Sequence, residues 1–381
     1  MALKIARRGT VPPFIVMDVM RAANARAAEG GDVIHLEVGQ PSTAAPEGVL
    51  RAAEAALRSD KLGYTEALGL SELRGRIADH YRDRYGVNID PARVVVTTGS
   101  SGAFLLTFLS AFEAGDRIAL TSPSYPAYKN ILNPLGVEIV DIEVGAETHF
   151  QPTPELLDKA DPLDGLMVAS PSNPTGSMLD AAAMKALVEG CAARGIRLIS
   201  DEIYHGITYD APAVSALEFG DDMIVINSFS KYFSMTGWRL GWMVLPPDLV
   251  RSVECLAQNF FVAPPTLSQV AALAVFECRA ELDANVAAYA RNRAHLLESL
   301  PKAGFREIAP PDGAFYLYAD VAHLTNDSTD FCRRMLAETG VAATPGVDFD
   351  TKRGNRFVRF CYAGSFDDSA EAARRLQAWL K

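Results

Sequence analysis

The chain has 381 residues, 49% hydrophobic and 22% charged, with 36 basic and 47 acidic residues giving a net charge of −11. At roughly 150 residues per domain the length suits two or three cores, and the composition excludes disordered, collagenous and disulfide-stapled proteins. The acidic balance opposes general binding to nucleic acid or anionic membrane, while a local cluster of donors can still hold a small anion.

Five scattered cysteines (Cys191, Cys255, Cys278, Cys332, Cys361) without a C-x-x-C pair read as reduced thiols. No apolar run approaches the ~20 residues of a membrane span. The opening MALKIARRGTVPPF carries charge without an apolar h-region, so no signal peptide is expected. The expectation is a cytoplasmic protein with no nucleic-acid partner, no membrane partner and no metal site.

In chain order, a helix is predicted around 16–29. Between about 90 and 245 a unit then recurs: an aliphatic run followed directly by a polar turn. The runs are 93–96 (RVVV), 117–120 (RIAL), 137–142 (VEIVDI), 166–169 (LMVA), 196–199 (IRLI), 223–226 (MIVI) and 240–245 (LGWMVL). Most are continuous rather than alternating, which predicts burial on both faces. With helices such as 181–193 between several of them, they predict an α/β fold with a mainly parallel seven-stranded sheet covered by helices. The last run follows its predecessor without a clear helix, which leaves an antiparallel direction open. After Pro264-Pro265 long amphipathic stretches appear, notably 281–300. Short alternating runs, GAFYLYADV and RFVRFCYA, then flank a helix near 330–339 and predict a smaller α+β domain. The expected division is a large domain of 40–278 and a small one of 1–39 with 279–381.

Ligands of an open parallel sheet sit beyond the carboxyl ends of its strands. The residues there are Thr97–Gly102, Thr121–Pro126, Ser170–Gly176, Ser200–Tyr204 and Asn227–Lys231, with Arg239 eight residues past the lysine. Gly99–Gly102 opens a helix. Such a turn offers free N–H groups to a phosphate, or is a plain helix cap. Ser228, Ser230 and Arg239 could add donors to the same anion, or lie on a solvated loop. Lys231, flanked by Phe229, Tyr232 and Phe233, would lose basicity on burial and become a nucleophile towards an aldehyde; the bland alternative is a lysine snorkelling to water. Asp201 needs a cationic partner if buried, either a neighbouring side chain or a protonated ring nitrogen. Tyr125 could stack on a flat ring or simply fill core. Asn173-Pro174 is a turn or an amide held by an X-Pro bond, cis or trans.

A lysine nucleophile, a phosphate cradle, an acid for a ring nitrogen and an aromatic lid together describe a pyridoxal phosphate site. The segment SFSKYFSMTGWRLG (228–241) resembles the cofactor-attachment signature of class I/II aminotransferases, of the fold type I architecture. The resemblance runs along nearly the whole chain, through LEVGQPS (36–42), YTEALG (64–69), TTGSSGA (97–103), SPSYPAY (122–128), SPSNPTG (170–176), DEIY (201–204) and RFCYA (359–363). It implies an enzyme that moves an amino group between an L-amino acid and a 2-oxo acid by a ping-pong route, through a pyridoxal phosphate Schiff base on Lys231. By the same resemblance Asp201 pairs with the ring nitrogen, Asn173 and Tyr204 hydrogen-bond the ring 3′-oxygen, and Tyr125 stacks on the ring. Ser100, Ser101, Ser228, Ser230 and Arg239 cradle the phosphate. Tyr64 reaches the neighbouring site of a homodimer, and Arg359 with the Gly39 backbone clamps the substrate α-carboxylate.

A C–S β-lyase of the same fold would use the same lysine, aspartate and arginine, and its products, pyruvate and ammonia without an acceptor, would distinguish it. An effector-sensing regulator would carry a DNA-binding module, but only about 35 residues precede the first motif and the chain is acidic. Family position puts Phe14, Ile15 and Tyr64 at the substrate pocket. No second arginine is recognised for a distal carboxylate, although a lysine or arginine from the partner subunit could meet one; apolar or aromatic amino acids are the expected substrates.

Overall fold

The computed structural model describes residues 3–160 and 162–381. Its strands are β1 (Ile34–His35), β2 (Val94–Thr97), β3 (Arg117–Ser122), β4 (Glu138–Glu143), β5 (Gly165–Ala169), β6 (Arg197–Asp201), β7 (Ile224–Ser228), β8 (Gly241–Val244), β9 (Glu307–Ile308), β10 (Tyr316–Asp320), β11 (Val341–Ala342), β12 (Thr344–Pro345) and β13 (Phe357–Cys361). The central sheet has the order β2-β8-β7-β6-β5-β3-β4. All its neighbours are parallel except β8, which runs antiparallel to both β2 and β7. The run that follows its predecessor without a crossover helix is thus the one that reverses.

The continuous apolar runs arise because each strand feeds two cores. Val94, Val96, Leu166, Val168, Val225, Trp242 and Val244 pack into one, while Val95, Met167, Ile224, Ile226 and Met243 pack into the other. Successive side chains point to opposite faces, so both parities must be apolar. Trp242 is fully buried, and its truncation to alanine would cost about 3–5 kcal/mol. The covering helices start and stop on local chemistry. In Ala181–Arg194, the Asp180 side chain accepts the Ala183 N–H at 2.8 Å, and Gly195 at φ +68° ends the helix.

Beyond the long helix Arg279–Ser299, β12-β13-β10-β9 form an antiparallel sheet, and β1 pairs in parallel with β11. Alternating runs normally leave one face in water. Here β10 is buried at every position and β13 at four of five. Leu317, Ala319, Val358 and Phe360 join the main core. On the other face Tyr316 and Arg359 line a cavity, and Tyr318 stacks on Phe357 with ring centroids 4.6 Å apart. Tyr316 and Arg359 thus serve the site, while Tyr318 and Asp320 on the same face line a second cavity. No helix among the described residues is long and apolar enough to cross a membrane.

Candidate active site

Because β3, β5, β6 and β7 run parallel, their carboxyl ends share one edge, and a cavity of about 590 Å³ opens there. Ser100 and Ser101, in the first turn of the helix Gly99–Ala111, form part of its wall. Thr98 makes no side-chain cap bond, so the turn's N–H groups are not taken by a plain cap. Arg239 faces the same turn. Its backbone is left-handed (φ +53°), and a Cβ on Gly99, itself at φ +72°, would lie 2.7 Å from Arg239 Nη2. Only glycine at 99 lets this guanidinium cross the helix start. Arg239 donates to the Thr236 carbonyl at 3.2 Å, and no carboxylate pairs with it among the described residues.

Asp201 ends β6, buried. It accepts a hydrogen bond from the Tyr128 hydroxyl and one at 3.1 Å from the Ile203 N–H, and no cation pairs with it among the described residues. Burial pushes its carboxyl up to about 6, against the pull of those donors and the Lys231 charge. Lys231 follows β7; burial lowers its ammonium to about 8, with Arg359 and Arg239 adding to the effect. Its Nζ donates to the Gly39 carbonyl at 2.6 Å and lies 5.7 Å from the centre of the Tyr204 ring. The Tyr204 and Tyr316 hydroxyls are 2.6 Å apart.

Arg359, in β13 opposite Thr344, is held between the rings of Tyr316 and Phe349, 4.4 and 4.6 Å from their centres. Its Nη1 donates to Asn173 Oδ1 at 2.8 Å, and its Nη2 bonds the Glu37 carbonyl and Thr344 Oγ1. Its Nε is buried without a partner. Asn173 itself precedes a cis Asn173–Pro174 bond. A Cβ on Gly39 would fall 1.9 Å from the Tyr316 hydroxyl, so the chain can pass here only as glycine.

Gly39, Ser100, Ser101, Tyr125, Asn173, Asp201, Tyr204, Ser230, Lys231, Arg239 and Arg359 all line this cavity. Ser228 stands behind the wall: its hydroxyl lies 2.9 Å from Ser230 Oγ, donates to the Leu240 carbonyl at 3.2 Å and accepts the Ser230 N–H. Tyr64 is on the surface, 87% exposed. Phe14 joins the wall with Val16 and Met17, whereas Ile15 does not. Sequence reasoning missed Tyr128, Tyr316 and Phe349. Tyr128 had a signal, as the second tyrosine of SPSYPAY. Tyr316 and Phe349 had none, because they reach the site by tertiary packing.

Among the described residues three unmet demands surround this cavity: a buried carboxylate without a cation, a guanidinium at a helix start without an anion, and a buried guanidinium Nε without an acceptor. The first two suit a ring with a protonated nitrogen and a phosphate, the third an α-carboxylate. With a buried lysine between them at the carboxyl edge of this sheet, they define a pyridoxal phosphate-dependent enzyme of fold type I.

Comparison with known proteins carries this further. The profile of the family "Aminotransferase class I and II" matches residues 31–376, and the chain belongs to that family. It is a pyridoxal phosphate-dependent aminotransferase, moving an amino group between an amino acid and a 2-oxo acid. It is similar to valine–pyruvate aminotransferase of Mycobacterium tuberculosis, 52% identical over 99% of this chain and 98% of the relative. The crystal structure of an aminotransferase from M. tuberculosis superposes with a TM-score of 0.98 at 51% identity, covering 100% of this chain and 99% of that one. Aspartate aminotransferase from Thermus thermophilus with maleate gives 0.94 at 30% identity, covering 99% and 100%.

Proposed function

We propose that this aminotransferase takes a branched aliphatic amino acid of the valine type as donor and pyruvate as acceptor, releasing the branched 2-oxo acid and alanine. The observation that carries this is the cavity wall: Phe14, Val16, Met17 and Val38 are apolar, and among the described residues of this chain its cationic side chains are Lys231, Arg239 and Arg359. A donor with a second carboxylate would need a further cation there. The 52% identity to the valine–pyruvate enzyme supports the same choice.

In this reading Lys231 would hold the cofactor covalently, and its amine, once free, would act as the base and acid for the substrate Cα proton. Bound pyridoxal phosphate supplies the electron sink that makes the α-proton removable. Asp201 keeps the ring nitrogen protonated. Asn173 and Tyr204 would bond the ring oxygen, Tyr125 would stack on the ring, and Ser100, Ser101, Ser230 and Arg239 would hold the phosphate, with Ser228 setting the Ser230 turn. Arg359, with the Gly39 backbone, fixes the substrate carboxylate and so the direction of the Cα–H bond.

A homodimer belongs to the same proposal. Leu57, Tyr64, Phe260 and Val262 are large apolar side chains left exposed, and the 2.6 Å hydrogen bond from Thr266 Oγ1 to the Gly63 carbonyl ties the Tyr64 loop to the segment after Phe260. Tyr64 would then serve the site of the second copy.

The test is a panel of amino acids mixed singly with holoenzyme, scored by loss of the cofactor's visible band. Valine-type donors and alanine are expected to react. Reaction confined to dicarboxylic amino acids would overturn the substrate assignment. Asp201→Asn is expected to bind cofactor yet lose most turnover, and wild-type rates would remove Asp201 from its role.

A further inference from the structure

The N-terminal helix Ile15–Ala28 has no cap of its own, since Phe14 at its N-cap offers no side-chain acceptor. Asp348, more than 300 residues on, takes that place. Its Oδ1 accepts the Ile15 N–H at 3.0 Å and its Oδ2 the Val16 N–H at 3.2 Å. A carboxylate accepting two free N–H groups at a helix start is stabilised by both hydrogen bonds and dipole. Asp348 is buried, on the turn Gly346–Asp348 that leaves β12, the strand whose Thr344 faces Arg359. Phe349, the next residue, lies against the Arg359 guanidinium, and its carbonyl accepts the Ser124 N–H at 3.1 Å. Ser124 precedes Tyr125, whose ring meets Phe14 edge-on at 5.6 Å. The contacts close on themselves: carboxylate clamp, Asp348, first helical turn, apolar wall and ring-stacking tyrosine form one loop.

We propose that Asp348 is a positioning residue for substrate selection. It pins the first turn of the N-terminal helix so that Phe14, Val16 and Met17 stand as the wall against which a branched side chain packs, in fixed relation to Arg359. The inference rests on the aliphatic-donor reading above. Alanine, which scarcely reaches that wall, gains little from the anchor; valine gains most.

The experiment compares wild type, Asp348→Ala and Asp348→Asn as holoenzymes. It measures kcat and KM for valine and for alanine with a common 2-oxo acid, together with hydrogen exchange of the segment 13–20. In Asp348→Ala the KM for valine is expected to rise about tenfold with alanine within about twofold, the size of a lost cap. The segment should exchange faster while the cofactor band is unchanged. Asp348→Asn, with one acceptor oxygen for two donors, should fall between. It decides the matter by the same valine-to-alanine ratio if the alanine variant fails to fold. An unchanged ratio, or equal losses on both substrates, overturns the role of Asp348. Wild-type holoenzyme that turns over alanine but not valine overturns the donor reading instead.

Discussion

Arg359→Lys separates recognition of the substrate carboxylate from everything else the site does. The arginine lines the cavity and keeps its place through stacking between Tyr316 and Phe349 and through bonds to Asn173, Glu37 and Thr344. Lysine preserves the charge but not the planar fork, so two charge-assisted bonds to a carboxylate become one point contact. Losing one such bond costs about 1.5–3 kcal/mol, a drop of roughly 10- to 150-fold in kcat/KM. The abandoned acceptors Asn173 Oδ1 and the Glu37 carbonyl lower stability too, but that loss is blind to the substrate. The assay therefore compares valine with isobutylamine, the same side chain without a carboxylate, on both proteins by single-turnover absorbance. The carboxylate-specific penalty should appear for valine and vanish for the amine. Equal penalties on both would refute the clamp, whatever their size.

Three further outcomes are expected. Only a neutral Lys231 amine attacks an aldehyde, and burial sets that group at about 8, so capture of pyridoxal phosphate by the cofactor-free protein should accelerate as pH rises through that value; a pH-independent rate in stopped-flow absorbance would contradict it, and Lys231→Ala should retain no cofactor after borohydride treatment. Gly99→Ala would force a Cβ to 2.7 Å from Arg239 Nη2 at a left-handed φ, so cofactor affinity by equilibrium dialysis should fall about tenfold, and unchanged affinity would remove Arg239 from the phosphate cradle. Burial among Phe233, Trp242 and Phe276, with the Arg84 charge adding to it, lowers His80 to about 4, so the unfolded chain takes up a proton there before the folded one does. The stability that neutral His80 allows is complete above about pH 6.5 and lost as pH falls towards 4, a difference of about 2–3 kcal/mol that His80→Phe should flatten in denaturant titrations.

The central sheet and the identity of its loops are legible in the chain alone. Runs such as RVVV, LMVA and MIVI are apolar at both parities, and only a strand covered on both faces needs that. Strand direction then sends Asn173, Asp201 and Lys231 to one edge whatever the details of packing. Which side chains finish the site is set by long-range packing. Nothing local announces that the Tyr128 hydroxyl bonds Asp201, that Phe349 lies against Arg359, or that Asp348 caps a helix at the other end of the chain. Nor does spacing tell that Ser230 faces the cavity while Ser228 turns its hydroxyl to the Leu240 carbonyl. Periodicity and turn chemistry act over a few residues and show in any short window. The choice of partner for a buried polar group is made only when distant elements dock, because it depends on which unpaired donors and acceptors the fold happens to bring within reach.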